Sequence, residues 1–174
     1  MTEASGDAVS DADRVAIQRQ LGREPRGMVA VAHRCSCGEP DVVTTSPRLP
    51  DGTPFPTLYY LTCPRLTGAV STLEAEGRMR EMQDRLATDP HLQESYRTAH
   101  ERYLAERDAV EVVEEIAGVS AGGMPERVKC LHVLVGQALA TGPGVNPFGD
   151  EAIAELDRRR LVRGVVCAER GAPS

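Results

Sequence analysis

The hydrophobic pattern divides the chain into an extended N-terminal third and a helical remainder. Three short stretches rich in β-branched and apolar residues are each followed by turn residues: GMVAVAHRC, DVVTTSP and TLYYLTC. This pattern is typical of strands. The loop LPDGTPFP carries Asp-Gly and three prolines, which restrict its backbone and suit the edge of a sheet. These stretches predict a small antiparallel sheet near the N-terminus.

Most other segments show apolar residues at helical spacing. DADRVAIQRQLG predicts a short helix with Asp11 at its N-cap. The segment 65–89 predicts two helices or one helix kinked at Gly77, and Asp89-Pro90 opens a helix that runs to about Val113. ERVKCLHVLVGQALA is apolar almost all round, as a central buried helix is. DEAIAELDRRRL predicts the last helix, so we expect a helix-dominated α+β fold.

Composition limits the classes of protein to consider. The 174 residues, 41% of them hydrophobic, suffice for one buried core. We expect an acidic disordered tail over 1–10, a single domain over 11–167 and a flexible tail over 168–174. The net charge of −6 argues against nucleic-acid binding. No apolar run is long enough for a membrane span, and the polar N-terminus lacks signal-peptide features, so a cytoplasmic location is expected.

The five cysteines call for an explanation other than disulfides, because cytoplasmic thiols stay reduced. If the sheet end meets the central helix, a structural zinc ion or an iron–sulfur cluster could be bound by Cys35 or Cys37 together with Cys63 and Cys130, with His33 or His132 as the fourth ligand. These four metal-ligand candidates are Cys35, Cys37, Cys63 and Cys130. The alternative is that each cysteine is a small buried hydrophobic residue.

The stretch SAGGMPERVKCLH predicts the start of the central helix. Pro125 fits the first helical position, which places Cys130 in the first turns, where the helix dipole and the nearby Arg127 and Lys129 favour a thiolate or a bound anion. Cys130 and His132 are two residues apart, so on a regular helix they point to opposite faces. The sequence therefore predicts that these two side chains do not pair, and that His132 makes a buried hydrogen bond or ligates separately.

A stripe of four residues is predicted on one face of the helix after Pro90. Its members are spaced 4, 3 and 4 residues apart: Tyr96, His100, Tyr103 and Arg107. They could line a pocket for an anionic ligand, with Arg107 as a two-pronged donor. Alternatively, the tyrosines pack on the core while His100 and Arg107 pair with acids. In the loop GPGVNPFGD, Asn146 is a further ligand candidate and Asp150 a predicted N-cap.

Three motifs together carry a resemblance to a known family: DGTPFPTLYYLTCPRL, AHERYLAER and AGGMPERVKCLHVLVGQALATGPGVNPFGDEA. From about residue 27 to 157 the chain resembles a bacterial family catalogued as domain of unknown function 501. The resemblance implies a link to cell division through a protein partner, because members are often encoded near a septum-formation initiator. It places function around Pro54–Thr57, Cys63, His100, Tyr103, Arg107, Lys129, Cys130, His132, Asn146 and Asp150.

Three functional hypotheses follow. The favoured one is a binding or accessory protein whose polar pocket combines the stripe with the Gly-rich loop before Cys130. The second is an enzyme acting on a small anionic, phosphorylated substrate, with Arg107 and Lys129 for charge and His100 or His132 as acid and base. The third is a zinc- or iron–sulfur-stabilised module. The sequence has no nucleotide-binding loop, H-E-x-x-H or G-x-S-x-G motif, so whether it is an enzyme stays open.

Overall fold

A computed structural model describes residues 6–162, and every structural statement below concerns that part of the chain. It contains six α-helices, a short 3-10 helix and one three-stranded sheet, which confirms the helix-dominated α+β fold. The elements are α1 (Asp11–Leu21), β1 (Met28–Arg34), β2 (Pro40–Thr45), β3 (Tyr59–Leu61), α2 (Pro64–Ala75), α3 (Arg78–Thr88), α4 (Pro90–Val110), a 3-10 turn (Glu114–Ile116), α5 (Leu131–Thr141) and α6 (Pro147–Arg158).

The sheet is antiparallel, with β2 between β1 and β3. Every residue of β2 is buried, because α1 and α5 both contact this strand. The third predicted strand, TLYYLTC, is shorter than its pattern indicates: pairing ends at Leu61 and α2 begins three residues later, at Pro64. The sheet thus lies against α5, whose residues belong to the same hydrophobic core as Val42 and Tyr59.

The described structure includes residues before the predicted start of the domain at residue 11. Asp7 pairs with Val31 of β1 through two main-chain hydrogen bonds of 2.8 and 2.9 Å. The N-cap of α1 is Ser10 and not Asp11, since the Ser10 hydroxyl accepts the Asp13 N–H at 3.1 Å and the Asp13 carboxylate accepts the Ser10 N–H at 3.0 Å. This reciprocal capping box fixes the helix start.

The segment 65–89 forms two helices, so the kinked single helix is excluded. Gly77 lies between them with a φ of 84°, a left-handed conformation that glycine adopts without steric cost. The final helix also begins earlier than predicted. Asn146, and not Asp150, is its N-cap, because the Asn146 side chain accepts the Gly149 N–H at 2.9 Å and Pro147 takes the first helical position.

The central helix α5 begins at Leu131, five residues later than the apolar pattern indicates. Residues 122–126 form turns that contain a cis Met124-Pro125 peptide bond, and Pro125 is not the first helical residue, since α5 begins at Leu131. Gly149 of α6 packs directly on α5: a Cβ added there would lie 2.2 Å from the Leu134 carbonyl oxygen. Between residues 6 and 162 no helix is long and apolar enough to cross a bilayer. Cys167 and the predicted tail 168–174 lie outside the described residues.

Candidate functional site: a cysteine, a histidine and a glutamate between two helices

The late start of α5 changes the relation between Cys130 and His132. Cys130 is the N-cap residue, with an extended backbone (φ −153°, ψ 109°), while His132 lies in the first helical turn. The prediction of opposite faces assumed that both residues were helical, and it is therefore wrong. Both side chains turn towards α2 and meet Glu74 there, so that one ligand atom from each of the three lies within 4.8 Å of the others.

Glu74 connects the two helices. Its Oε1 accepts the Leu131 N–H at 2.8 Å, which satisfies one of the free N–H groups at the start of α5. The same oxygen lies 3.1 Å from Nδ1 of His132. The other ring nitrogen, Nε2, lies 3.2 Å from the Thr67 carbonyl oxygen and 3.3 Å from the Ser71 hydroxyl. Because both ring nitrogens face acceptors, the surroundings suit a doubly protonated imidazolium.

The electrostatics of the cluster favour a charge-separated pair. Burial raises the pKa of the Cys130 thiol, but the His132 side chain and the nearby Val133 N–H lower it by more, so the net pKa is below the ordinary thiol value. The interaction with Cys130 raises the pKa of His132 to about 9, against the opposing effect of burial and with help from the Glu74 carboxylate. A thiolate is therefore more abundant here than in a free cysteine.

The cluster is open to solvent. Cys130 is partly buried, and the side chains of His132 and Glu74 are 28% and 23% exposed. A thiolate beside an imidazolium that is itself held by a carboxylate is the arrangement of an activated nucleophile. The same three side chains could hold a metal ion, although three donors are one fewer than the four usual in a structural zinc site.

The predicted stripe on α4 is built into the core. Tyr96 and Tyr103 are fully buried. The Tyr96 hydroxyl donates to the Arg127 carbonyl oxygen at 2.9 Å, and the Tyr103 hydroxyl accepts the Leu58 N–H at 2.6 Å. These contacts agree with the alternative in which the tyrosines pack on the core, and both hydroxyls bind main-chain groups.

Arg107 holds the loop after α4. Its side chain is 1% exposed, and its guanidinium donates to the carbonyl oxygens of Val119 at 2.6 Å and Ile116 at 2.8 Å. His100 contacts the same loop through a 2.8 Å hydrogen bond between its Nδ1 and the Ser120 hydroxyl. Burial lowers the pKa of His100. The polar side-chain groups of the stripe thus bind main-chain atoms or the loop after α4.

The other predicted ligand-binding residues are dispersed. Arg127 and Lys129 are exposed on the segment before α5, and Lys129 directly precedes Cys130. Asn146 is fully buried, and its side-chain amide donates to Gln137 Oε1 at 2.9 Å. Asn146 therefore connects α5 to α6, which is a structural role.

The four cysteines proposed as metal ligands do not come together. Cys35 and Cys37 are joined by a disulfide in the β1–β2 turn, contrary to the expectation of reduced thiols. Cys63 is buried at the N-cap of α2, and Cys130 lies with His132 near the other end of α2. Cys63 precedes the first residue of α2, whereas Glu74, which meets Cys130 and His132, lies in its last turn. Within residues 6–162, Glu74, Cys130 and His132 are the one group of three such donors.

Glu74 is the functional candidate that the sequence did not indicate. It lies 58 residues before His132 in the chain, and no local motif connects the two. Its position in the last turn of α2, one turn after Val70 of the core, would have identified it only if the packing of α2 on α5 had been known.

Fold and site together define a helix-dominated α+β protein with a partly exposed cysteine, histidine and glutamate cluster between two helices. The chain belongs to the family described as protein of unknown function (DUF501), whose model matches residues 31–154. That match includes all three residues of the cluster and agrees with the resemblance found in the sequence motifs. No curated protein and no solved structure matches the chain.

Proposed function

We propose that this protein carries out thiol-dependent chemistry, with Cys130 as the nucleophile, His132 as its proton donor and acceptor, and Glu74 as the group that orients His132. The observation that carries the proposal is the convergence of the three side chains within 4.8 Å at the start of α5. It develops the enzyme hypothesis of the sequence analysis, with a different set of residues from the α4 stripe.

The three residues divide the roles as in other nucleophile–histidine–acid groups. The Cys130 sulfur forms a bond to an electrophilic carbon of the substrate, and the bond from that carbon to the leaving group breaks. The leaving group takes the proton from His132. A water molecule then attacks the covalent intermediate, gives its proton to His132 and releases Cys130 as the thiolate. Glu74 stabilises the imidazolium through the 3.1 Å contact with Nδ1.

The surroundings of Cys130 favour a small anionic substrate. Lys129 is exposed beside it, and the first N–H groups of α5 add positive potential at the same point. An acyl group that carries a carboxylate or a phosphate would meet this charge as it approaches the sulfur. The predicted protein partner in cell division and the predicted cytoplasmic location stay predictions from the sequence.

The test is the rate of alkylation of Cys130 by iodoacetamide as a function of pH, followed by mass spectrometry of the peptides. We expect Cys130 to react well below the ordinary thiol pKa and much faster than the buried Cys63. In His132→Gln the thiol should lose its partner, and its reaction at neutral pH should slow roughly tenfold for each unit by which its pKa rises.

The role of the carboxylate is tested by replacing Glu74, with Glu76 on the same chain segment as the matched control. Glu74→Gln should slow the alkylation, because the imidazolium loses its acceptor, whereas Glu76→Gln should not, since that residue pairs with Arg159 on the surface. Activated esters and thioesters with anionic acyl groups should then give a covalent adduct on Cys130 of the wild type. Equal alkylation rates in the wild type and His132→Gln would contradict the proposal.

A further inference from the structure

Two aromatic side chains lie outside the hydrophobic core and share one cavity. The sequence contains four tyrosines, two phenylalanines and no tryptophan. Four of these six side chains are buried in the core: Tyr59, Tyr96, Tyr103 and Phe148. The other two, Phe55 and Tyr60, are only partly buried, and both line a cavity of about 160 Å³. A protein with so few aromatic residues thus places both of its partly exposed rings around the same space, which core packing does not explain.

Most of the cavity lining is apolar. The apolar residues come from the end of α1, from all three strands and from the loop 49–56: Leu21, Met28, Val43, Leu49, Phe55 and Tyr60. The two aromatic rings are 6.5 Å apart between centroids and are inclined to one another by 48°, so two non-parallel aromatic surfaces border the space. An apolar group that enters it removes aromatic and aliphatic surface from water at the same time.

The charged residues of the lining are both arginines. Arg23 and Arg26 border the cavity and are exposed. Arg26 forms a loose ion pair with Asp51 across 3.8 Å. Within residues 6–162 Arg23 forms no ion pair, and its Nη1 only approaches the Glu24 carbonyl oxygen at 3.5 Å. A guanidinium that lacks a carboxylate partner in the protein can form two parallel hydrogen bonds to a carboxylate of a ligand.

The main chain that carries Arg26 is held against the loop 49–56. Gly27 follows Arg26 directly and has a φ of 64°, a conformation that glycine adopts without steric cost. Its missing side chain also leaves room for Leu49, since a Cβ at this position would lie 2.9 Å from Leu49 Cδ2. The Gly27 carbonyl oxygen accepts the Ser46 N–H at 2.7 Å. The charged rim and the apolar floor are therefore assembled before a ligand arrives, which lowers the entropic cost of binding.

We propose that this cavity binds a small carboxylic acid with an aromatic or branched aliphatic body. The body lies against Phe55 and Tyr60, and the carboxylate is bound by Arg23 and Arg26 at the rim. A volume of about 160 Å³ cannot hold a helix, which is about 10–12 Å across with its side chains, so a molecule of side-chain size is the ligand that fits. The lining contains no residue of the Cys130 cluster, and the inference does not rest on the proposed function.

The experiment compares three probes: phenylacetate, its neutral amide phenylacetamide, and acetate, which lacks the ring. Binding to the full chain is measured by isothermal titration calorimetry, and NMR signals of the Phe55 and Tyr60 rings report where each probe binds. We expect phenylacetate to bind and to shift the signals of both rings. Phenylacetamide and acetate should bind at least roughly tenfold more weakly, because the first lacks the charge and the second lacks the apolar body.

Variants separate the charged rim from the apolar floor. The double replacement Arg23→Gln and Arg26→Gln should weaken phenylacetate binding roughly tenfold and leave phenylacetamide binding unchanged, a difference that misfolding would not produce. Arg14→Gln is the matched control, since Arg14 is exposed on α1 outside the cavity lining. Phe55→Ala should weaken the binding of both ring-containing probes. Cys130→Ser should bind phenylacetate as the wild type does.

Three results would overturn the proposal: equal binding of phenylacetate and phenylacetamide, phenylacetate binding that the double arginine variant leaves unchanged, or phenylacetate binding that is lost in Cys130→Ser. The last result would instead place the anion at the Cys130 cluster. A peptide that ends in phenylalanine and binds where phenylacetate does not would assign the cavity to the end of a protein chain, which also overturns the small-molecule ligand. None of these outcomes depends on the alkylation rate of Cys130, so the two proposals fail separately.

Discussion

Replacement of Arg107 by alanine distinguishes a structural arginine from an anion-binding one. The guanidinium makes two short bonds, to the Val119 and Ile116 carbonyl oxygens, and a longer one of 3.4 Å to the Pro56 carbonyl oxygen. Since Arg107 is 1% exposed, its removal leaves these partly buried loop carbonyl oxygens without their donors. An anion-binding role would instead predict lost binding at nearly unchanged stability.

The expected cost follows from these bonds. A hydrogen bond from a charged donor contributes about 1.5–3 kcal/mol, so the two short bonds together contribute about 3–6 kcal/mol. Burial of the guanidinium charge in the wild type offsets part of this. We expect Arg107→Ala to lower the free energy of unfolding by about 3 kcal/mol, a large share of the 5–15 kcal/mol that is usual for a domain.

The assay is equilibrium unfolding in urea, with Arg102→Ala as the matched control. Arg102 lies on the same helix and is 47% exposed, and its ion pair with Glu106 should contribute only about 0.3–0.5 kcal/mol. Hydrogen exchange in segment 116–120 should accelerate in Arg107→Ala alone. A loss below about 1 kcal/mol together with abolished phosphate binding would refute the structural role of Arg107.

Three further predictions concern packing and charge. Gly149→Ala should destabilise the protein by about 3 kcal/mol or more, because its Cβ would meet the Leu134 carbonyl oxygen. Gly68→Ala should instead stabilise the protein by about 0.5–1 kcal/mol, because the space around Gly68 is open. Thermal unfolding of both variants checks this pair of predictions. Tyr103→Phe should cost about 1–3 kcal/mol in urea unfolding, since a buried N–H loses its acceptor. The His132 ring should titrate in NMR spectra with a midpoint near pH 9. Removal of the thiol in Cys130→Ser should lower that midpoint. A wild-type midpoint near pH 6.5 would contradict the pairing of His132 with Cys130 and Glu74.

The fold was predictable because its signals are local. Proline and glycine mark the boundaries of α3 and α4, and Gly77 permits the left-handed backbone between α2 and α3. The strands follow from β-branched runs, and the even hydrophobicity of α5 indicates that it is covered on most sides. Such signals depend on a few neighbouring residues, which a sequence contains in full.

The site was not predictable, because it depends on where one helix begins. Had α5 started near residue 126, Cys130 and His132 would lie on opposite faces. A start at Leu131 leaves Cys130 extended and brings the two together. Turns over residues 122–126 precede that start, and Gly122 packs there against Val133 and Leu134 of α5, which no local pattern reveals. The stripe on α4 was ambiguous for a related reason, since burial of Arg107 depends on a distant loop.

The N-cap of α5 has a consequence for how the protein can be studied. Serine, threonine and aspartate normally cap a helix with their own side chains, whereas Cys130 makes no capping hydrogen bond and Glu74 caps the helix from α2. The Glu74 cap on the first turn of α5 therefore exists only while the two helices are docked, and the same docking holds the acid next to His132. Any local opening between α2 and α5 uncaps the helix and returns the thiol to ordinary reactivity in one event. The rate at which Cys130 reacts therefore reports on the contact between α2 and α5, and it can be measured without attaching a label to the protein.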